Sequence, residues 1–166
     1  MVTVPEAREF MAGRLDAEMM QVAEPLLAAA AKHADDADLR VEEPEGQSVV
    51  LLDLASRTGT RGPFTLVLGR ARMKGWFSIF VDRADIELGD TVAEMGGASN
   101  VVELLREHLA SPVTVTEWRH RGIVYRLSYT FHGCRLDEMP EVYTQIERAS
   151  WFKRLEAVPR DLQAWL

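Results

Sequence analysis

Cysteine is almost absent: Cys134 is the one thiol in 166 residues. A lone thiol closes no internal disulfide, gives secretion no support, and supplies neither a redox pair nor a CxxC zinc-ligand set. Long apolar runs are missing too. The longest candidate, Ala23 to Ala31, is broken by Glu24 and Pro25, far short of the roughly 18 residues of a membrane helix. Met1 to Phe10 carries Glu6 and Glu9 and lacks a basic-then-apolar signal region, so cytoplasmic residence with no membrane is the expectation. Positive charge is in deficit, with a net charge of −7 and a pI near 5.1. That balance favours solubility and speaks against general affinity for nucleic acid or anionic lipid. What is present is ordinary for a globular chain, 47% hydrophobic and 27% charged, and the length predicts one domain over residues 1–166 with a real core.

The charge is segregated along the chain. Residues 1–47 carry a net −7 and residues 82–111 a net −5, whereas residues 54–81 carry +5 and residues 112–136 carry +3. Acidic blocks coincide mostly with predicted helix and connector, basic blocks with predicted sheet.

Pro5, with Glu6 and Glu9 behind it, reads as a helix start. Met11, Leu15, Met19, Val22 and Leu26 recur as one buried helical stripe. Pro25 is expected to kink or restart this helix before it ends near His33. An acidic connector over 35–47 follows, with a short strand at Leu39–Val41. Val49–Leu54, Phe64–Arg70 and Trp76–Val81 are short, branched and aromatic runs between turn signals, and predict an antiparallel meander. Asp82–Gly97 reads as an irregular acidic connector. Ser99 or Asn100 can cap a helix through Leu109, with Val101, Leu104, Leu105 and His108 on one side. Val113–Trp118 and Ile123–Phe131 predict a hairpin through Arg119–Gly122. Its second strand alternates: Ile123, Tyr125, Leu127, Tyr129 and Phe131 share one face, and Val124, Arg126, Ser128, Thr130 and His132 the other. Pro140 opens a last helix to about Leu155, and Pro159 a terminal turn that leads to Trp165. Trp165 either docks that turn or belongs to a contact with another chain.

The expected fold is therefore α+β: an antiparallel sheet of five strands, six with Leu39–Val41, in the order helix, three strands, helix, two strands, helix, with the helices packed on one face. This element order, on an acidic chain of this size, resembles the fold of type III secretion chaperones, which are small dimers that hold extended partner segments.

Few constellations suggest chemistry. His132-Gly133-Cys134 could place an imidazole near a thiol, although a buried cysteine beside a surface histidine is the plainer reading. Asp82, Asp85, Glu87, Asp90 and Glu94 could donate oxygens to a cation but lack EF-hand spacing. Met95–Asn100 precedes a helix without a Walker A or GxGxxG pattern. No metal and no cofactor is expected. Ser128 and His132 lie about 13 Å apart along one strand, too far for proton transfer between them.

The basic sheet region carries more weight. Arg70 and Arg72 flank a turn beside Trp76, and Arg119 and Arg121 crown the second hairpin beside Trp118. Basic groups interleaved with aromatics are what single-strand binders use, but the low pI and the missing RNP consensus set nucleic acid aside. With Arg126, Ser128, Thr130 and His132 on the polar face, these residues form the candidate binding set. The function expected is a non-enzymatic protein-binding module, chaperone- or adaptor-like and homodimeric, holding a protein or peptide. A small-ligand protein or enzyme on the polar face is the first alternative, and an immunity-type inhibitor or small subunit the second.

Overall fold

Thr3 opens the first helix. In the computed structural model, which describes residues 1–133, 142–145 and 154–166, its hydroxyl accepts the Glu6 N–H. The Glu6 carboxylate reaches back to the Thr3 N–H at 2.7 Å. This capping box starts α1 (Val4–Ala12) with Pro5 in the first turn. The helix stops at Gly13 rather than at Pro25. It restarts behind Asp16, whose carboxylate accepts the Met19 N–H at 2.9 Å, and α2 (Ala17–Lys32) runs through Pro25. Glycine and aspartate favour cap conformations over the helix interior, while Pro25, Leu26 and Leu27 are buried, so packing offsets the one missing hydrogen bond.

Five strands follow as an antiparallel meander in chain order: β1 (Ala37–Glu42), β2 (Val49–Ser56), β3 (Phe64–Gly69), β4 (Trp76–Val81) and β5 (Ala84–Thr91). The strand β5 replaces the irregular connector expected over Asp82–Gly97. Asp82, at φ +54°, makes the tight turn between paired Val81 and Ala84, and register shifts along β4 absorb the irregularity near Gly89. Charged residues are poor strand formers in general, but an edge strand tolerates them.

After α3 (Ala98–Ala110), capped at Gly97 rather than by the side chains of Ser99 or Asn100, the chain builds a second sheet. Its strands are β6 (Val113–His120), β7 (Ile123–Phe131), β8 (Val142–Gln145) and β9 (Glu156–Leu162), in the antiparallel order β8-β7-β6-β9. Arg121 and Gly122, both at positive φ, make the two-residue turn between β6 and β7.

The α+β class, the five-stranded antiparallel sheet and the helices on one of its faces stand as expected. The membership of that sheet differs, because the 113–131 hairpin pairs with β8 and β9 instead of extending the meander. Pro159 sits in β9, an edge strand that tolerates a missing N–H, where a terminal turn was expected. Of the helix expected over 140–155, residues 140–141 and 146–153 lie outside the described residues, and Val142–Gln145 is a strand. Cys134 also lies outside them. Two opening helices and five consecutive strands depart from the helix, three strands, helix, two strands, helix order that resembles type III secretion chaperones.

The core joins all layers. Met11, Met19, Val22 and Leu26 from the helices cover Leu52, Leu66 and Ile79 of the first sheet, and the same cluster continues through Leu105 to Val115, Leu127, Tyr129 and Phe131 of the second. The Tyr129 hydroxyl donates to Asp82 Oδ2 at 2.9 Å and ties the sheets together; burial, then the Asp82 charge, push the phenol well above its ordinary range. No helix among the described residues is long and apolar enough to cross a membrane.

His108 is buried in the last turn of α3, edge-on to Phe131 at 5.8 Å. Its Nδ1 lies 2.7 Å from the Leu104 carbonyl and must carry the proton, which leaves Nε2 with a buried lone pair and no partner among the described residues. Burial holds the imidazole below its ordinary pKa, against the upward pull of that carbonyl and of Glu107. The unfolded chain therefore binds a proton there before the folded one does, and stability falls as the pH drops below about 6.5. His108→Leu should remove that slope between pH 7 and pH 5, gaining on the wild type by about 1 kcal/mol for each unit of depression. Urea midpoints at both pH values test it, and an unchanged slope would refute it.

Candidate functional site

Gly69 shapes the first group of candidate residues. A Cβ there would meet the Met73 carbonyl oxygen at 1.9 Å, so the chain can fold back over the end of β3 only with glycine at that position. The fold-back is a single 3-10 turn, Ala71–Met73, closed by the Met73 N–H on the Arg70 carbonyl at 2.9 Å. Arg70 is thereby held at the strand end, Arg72 stands exposed on the turn, and the half-buried indole of Trp76 lies over Gly89.

This turn faces the loop between α1 and α2. Arg14 in that loop donates from Nε to Glu43 Oε2 at 2.9 Å and from Nη1 to the Phe10 carbonyl at 2.9 Å, and its guanidinium lies 3.8 Å over the Phe10 ring. Arg70 pairs with the other oxygen of the same carboxylate. Lys74 approaches Asp16 at 3.6 Å with its side chain 73% exposed. A cleft of about 370 Å³ opens among Arg14, Asp16, Arg70, Ala71 and Lys74. Three cations and two carboxylates therefore meet where the α1–α2 loop, the β1–β2 connection and the β3–β4 turn come together. A larger cleft of about 440 Å³ lies elsewhere, between the start of α1 and β1, and is lined mainly by apolar residues such as Val2, Val4, Ala30 and Leu39.

The second group sits on the other sheet. Trp118 and Arg126 are cross-strand partners, with the guanidinium 4.3 Å from the indole ring. The indole N–H donates to Ser128 Oγ at 3.1 Å, and Ser128 is 1% exposed. Arg119 pairs with Glu117 beside the register shift, and Arg121 stands at the hairpin tip. Thr130 and His132 are exposed near the other end of β7. Thr114 Oγ1 spends its hydrogen on Asp161 at 2.7 Å, so His132 Nε2, 2.9 Å away, is the donor to it. The structure thus places Arg70, Arg72 and Trp76 around one turn, with Arg70 on Glu43 and Trp76 on Gly89, and separately brings Trp118, Arg126 and Ser128 into contact. It engages Ser128 with an indole and His132 with a threonine rather than with each other.

The acidic run is distributed over the turn before β5 (Asp82), the edge strand itself (Asp85, Glu87, Asp90) and the turn after it, where the Glu94 carboxylate accepts the Thr91 N–H at 3.0 Å. Among the described residues no three His, Cys, Asp or Glu side chains gather as a metal site requires. Glu87 is raised above the ordinary carboxylate range by burial and by the neighbouring Asp90.

One surface the sequence reading missed is the outer face of the first sheet. Register places Leu52, Leu66 and Ile79 on the helix side, so Leu51, Val67, Trp76 and Phe80 point the other way. All four are half-buried and outside the core cluster. Strict alternation was the available signal, but continuous apolar runs such as Val49–Leu52 obscured it. Compared with models of known protein families, with curated proteins and with solved structures, the chain gives no match.

Proposed function

We propose that this chain is a non-enzymatic protein-binding module, chaperone- or adaptor-like, which acts in the cytoplasm as a homodimer and receives a protein or peptide partner on the outer face of the five-stranded sheet. The observation that carries the reading is the outward set Leu51, Val67, Trp76 and Phe80. A sheet with helices on one side normally gives its other side to polar residues. Here large apolar groups share that side with polar ones: one cross-strand row runs Arg40, Asp53, Thr65, Phe80, and the next runs Glu42, Leu51, Val67, Ser78. Apolar surface with a charged border is the usual anatomy of a protein contact. The polar face of β7 supports the small-ligand alternative less well, because Trp118, Arg126 and Ser128 engage one another.

Leu51→Lys combined with Val67→Lys tests this reading. Neither side chain belongs to the core cluster, so the melting temperature should stay within a few degrees. Native mass spectrometry of the protein from its source cell should give a dimer or a defined protein complex for the wild type, weakened about tenfold or more in the variant. A wild-type monomer carrying a small-mass adduct, or an assembly indifferent to both substitutions, would overturn the proposal.

A further inference from the structure

We infer that the cleft between the α1–α2 loop and the turn after β3 takes a carboxylate-rich segment of a protein partner, and that Glu43, which lies beside the cleft and not in its lining, holds the two lining arginines as an internal stand-in. The inference rests on the protein-binding reading above and adds the chemistry of the partner at one end of the same sheet.

Arg14 and Arg70 approach the two oxygens of the Glu43 carboxylate from different elements. Two guanidiniums on one carboxylate leave a surplus of one positive charge, and Lys74, which lines the cleft opposite Asp16 at 3.6 Å, leaves that surplus unchanged. Arginine forks suit carboxylates, and a fork already held in place loses little freedom on binding. Arg14 is held in that way, by the Phe10 carbonyl and by the ring beneath its guanidinium.

Glu43 is built to leave. It lies just beyond β1, which ends at Glu42, in a connection that contains Pro44 and a Gly46 at φ +74°. Its departure therefore breaks no ladder hydrogen bond. When a partner's carboxylate replaces it, both arginines remain paired and no charge is stranded. Location supports the same partner. The chain carries −7 overall, yet residues 54–81, which supply Arg70 and Lys74, hold five cations and no acid. Of those five, Arg57 and Arg61 face Asp35 and Asp36 at the other end of the sheet, so Arg70 and Lys74, with Arg14, are the cations an acidic segment would meet here. The open form of the cleft, about 370 Å³ between loops, suits protruding side chains.

Titration of the full chain with a fluorescent hexaglutamate peptide at low ionic strength tests the inference. The wild type should bind, and added salt should weaken the binding. Arg14→Gln with Arg70→Gln should lower affinity about tenfold or more, since each removes a charge-assisted contact. Glu43→Gln should raise it roughly five- to tenfold, because it removes the internal competitor while sparing the arginines. Glu45→Gln makes the same change in net charge at an exposed neighbour and should stay within about twofold. Equal gains from Glu43→Gln and Glu45→Gln would reduce the effect to general electrostatics and overturn the inference. Tight binding of inorganic phosphate or of a single-stranded oligonucleotide, with none of hexaglutamate, would overturn it as well. If hexaglutamate fails while assembly remains sensitive to Leu51→Lys and Val67→Lys, only the partner chemistry falls. If hexaglutamate binds as stated and assembly ignores the sheet face, the module reading falls instead.

Discussion

Trp165→Ala should destabilise the protein by about 3–5 kcal/mol, the usual range for emptying a buried aromatic site. The indole is 3% exposed, and every polar group around it is engaged. Its N–H donates to the Gly62 carbonyl at 2.8 Å, the Trp165 backbone N–H donates to Leu109 at 2.6 Å, and its carbonyl accepts from His33 Nε2 at 2.8 Å. His33 meets the ring edge-on at 5.9 Å and the Arg61 guanidinium lies 5.6 Å from it. Residues 163–166 thus clasp the end of α2, the end of α3 and the β2–β3 loop. Gln163 bonds to Thr60 and Arg61 bridges to Gln163 beside it. A loss of that size is a large part of the stability of an ordinary domain and should lower the melting temperature by roughly 10 °C. Trp165→Phe keeps the packing and strands the Gly62 carbonyl, so it should lose about 1–3 kcal/mol. Thermal melts with urea titrations check both. Two variants within about 0.5 kcal/mol of wild type would mean that the clasp contributes nothing.

The clasp also marks where sequence reasoning reaches its limit. Trp165 stood out as a tryptophan needing either a dock or a partner, yet its neighbours Gly62 and Leu109 lie far away in sequence, and no periodicity links them. Local patterns fared better. The alternation of Ile123–Phe131 gave the faces of β7, and Tyr125, Leu127, Tyr129 and Phe131 are buried, although Ile123 remains 50% exposed at the tip. The stripe Met11, Leu15, Met19, Val22 and Leu26 is buried throughout, despite the break at Gly13. Chemistry outvoted pattern in β5, where Asp85, Glu87 and Asp90 concealed a strand. The same happened in β9, where Pro159 suggested a turn; edge strands accept charge and proline because one side makes no ladder bonds.

For the candidate site, residue type was legible and contact was not. Arg70, Arg72 and Trp76 could be singled out because basic and aromatic residues alternate at a turn. Arg14 and Glu43 could not, since Arg14 belongs to a helix connection and Glu43 to an acidic stretch that reads as a solvated connector. Only the fold-back at Gly69 brings them to Arg70. The outer-face set was hidden differently: Leu51 and Val67 sit in runs apolar on both sides, and their direction follows from register rather than from composition.

Asp36 shows how an apparently solvated acidic residue becomes structural, and its substitution should rank second in effect. Its Oδ1 accepts from the Thr58 backbone at 3.0 Å and the Thr58 hydroxyl at 2.8 Å, while Oδ2 accepts from Ser56 at 2.8 Å and Arg61 at 2.9 Å. Burial alone would raise its pKa, but these donors outweigh burial and hold it at about 2. Arg61 in turn donates to the Ala164 carbonyl at 3.0 Å, so the carboxylate fixes the guanidinium that fastens the clasp. Asp36→Asn leaves Arg61, 17% exposed, without its counter-charge, at an expected cost of about 2–3 kcal/mol at neutral pH. The sign of its pH dependence follows from the depressed pKa. The stabilisation from Asp36 is complete above the unfolded value near 4 and is lost as the pH falls toward 2. Wild type and Asp36→Asn should therefore differ most at neutral pH and converge in acid, with the Trp165 environment, read by fluorescence, loosening in the variant at neutral pH. A gap in urea midpoint that stays constant from pH 7 to pH 2.5 would show that the carboxylate's charge is not what holds Arg61 in place.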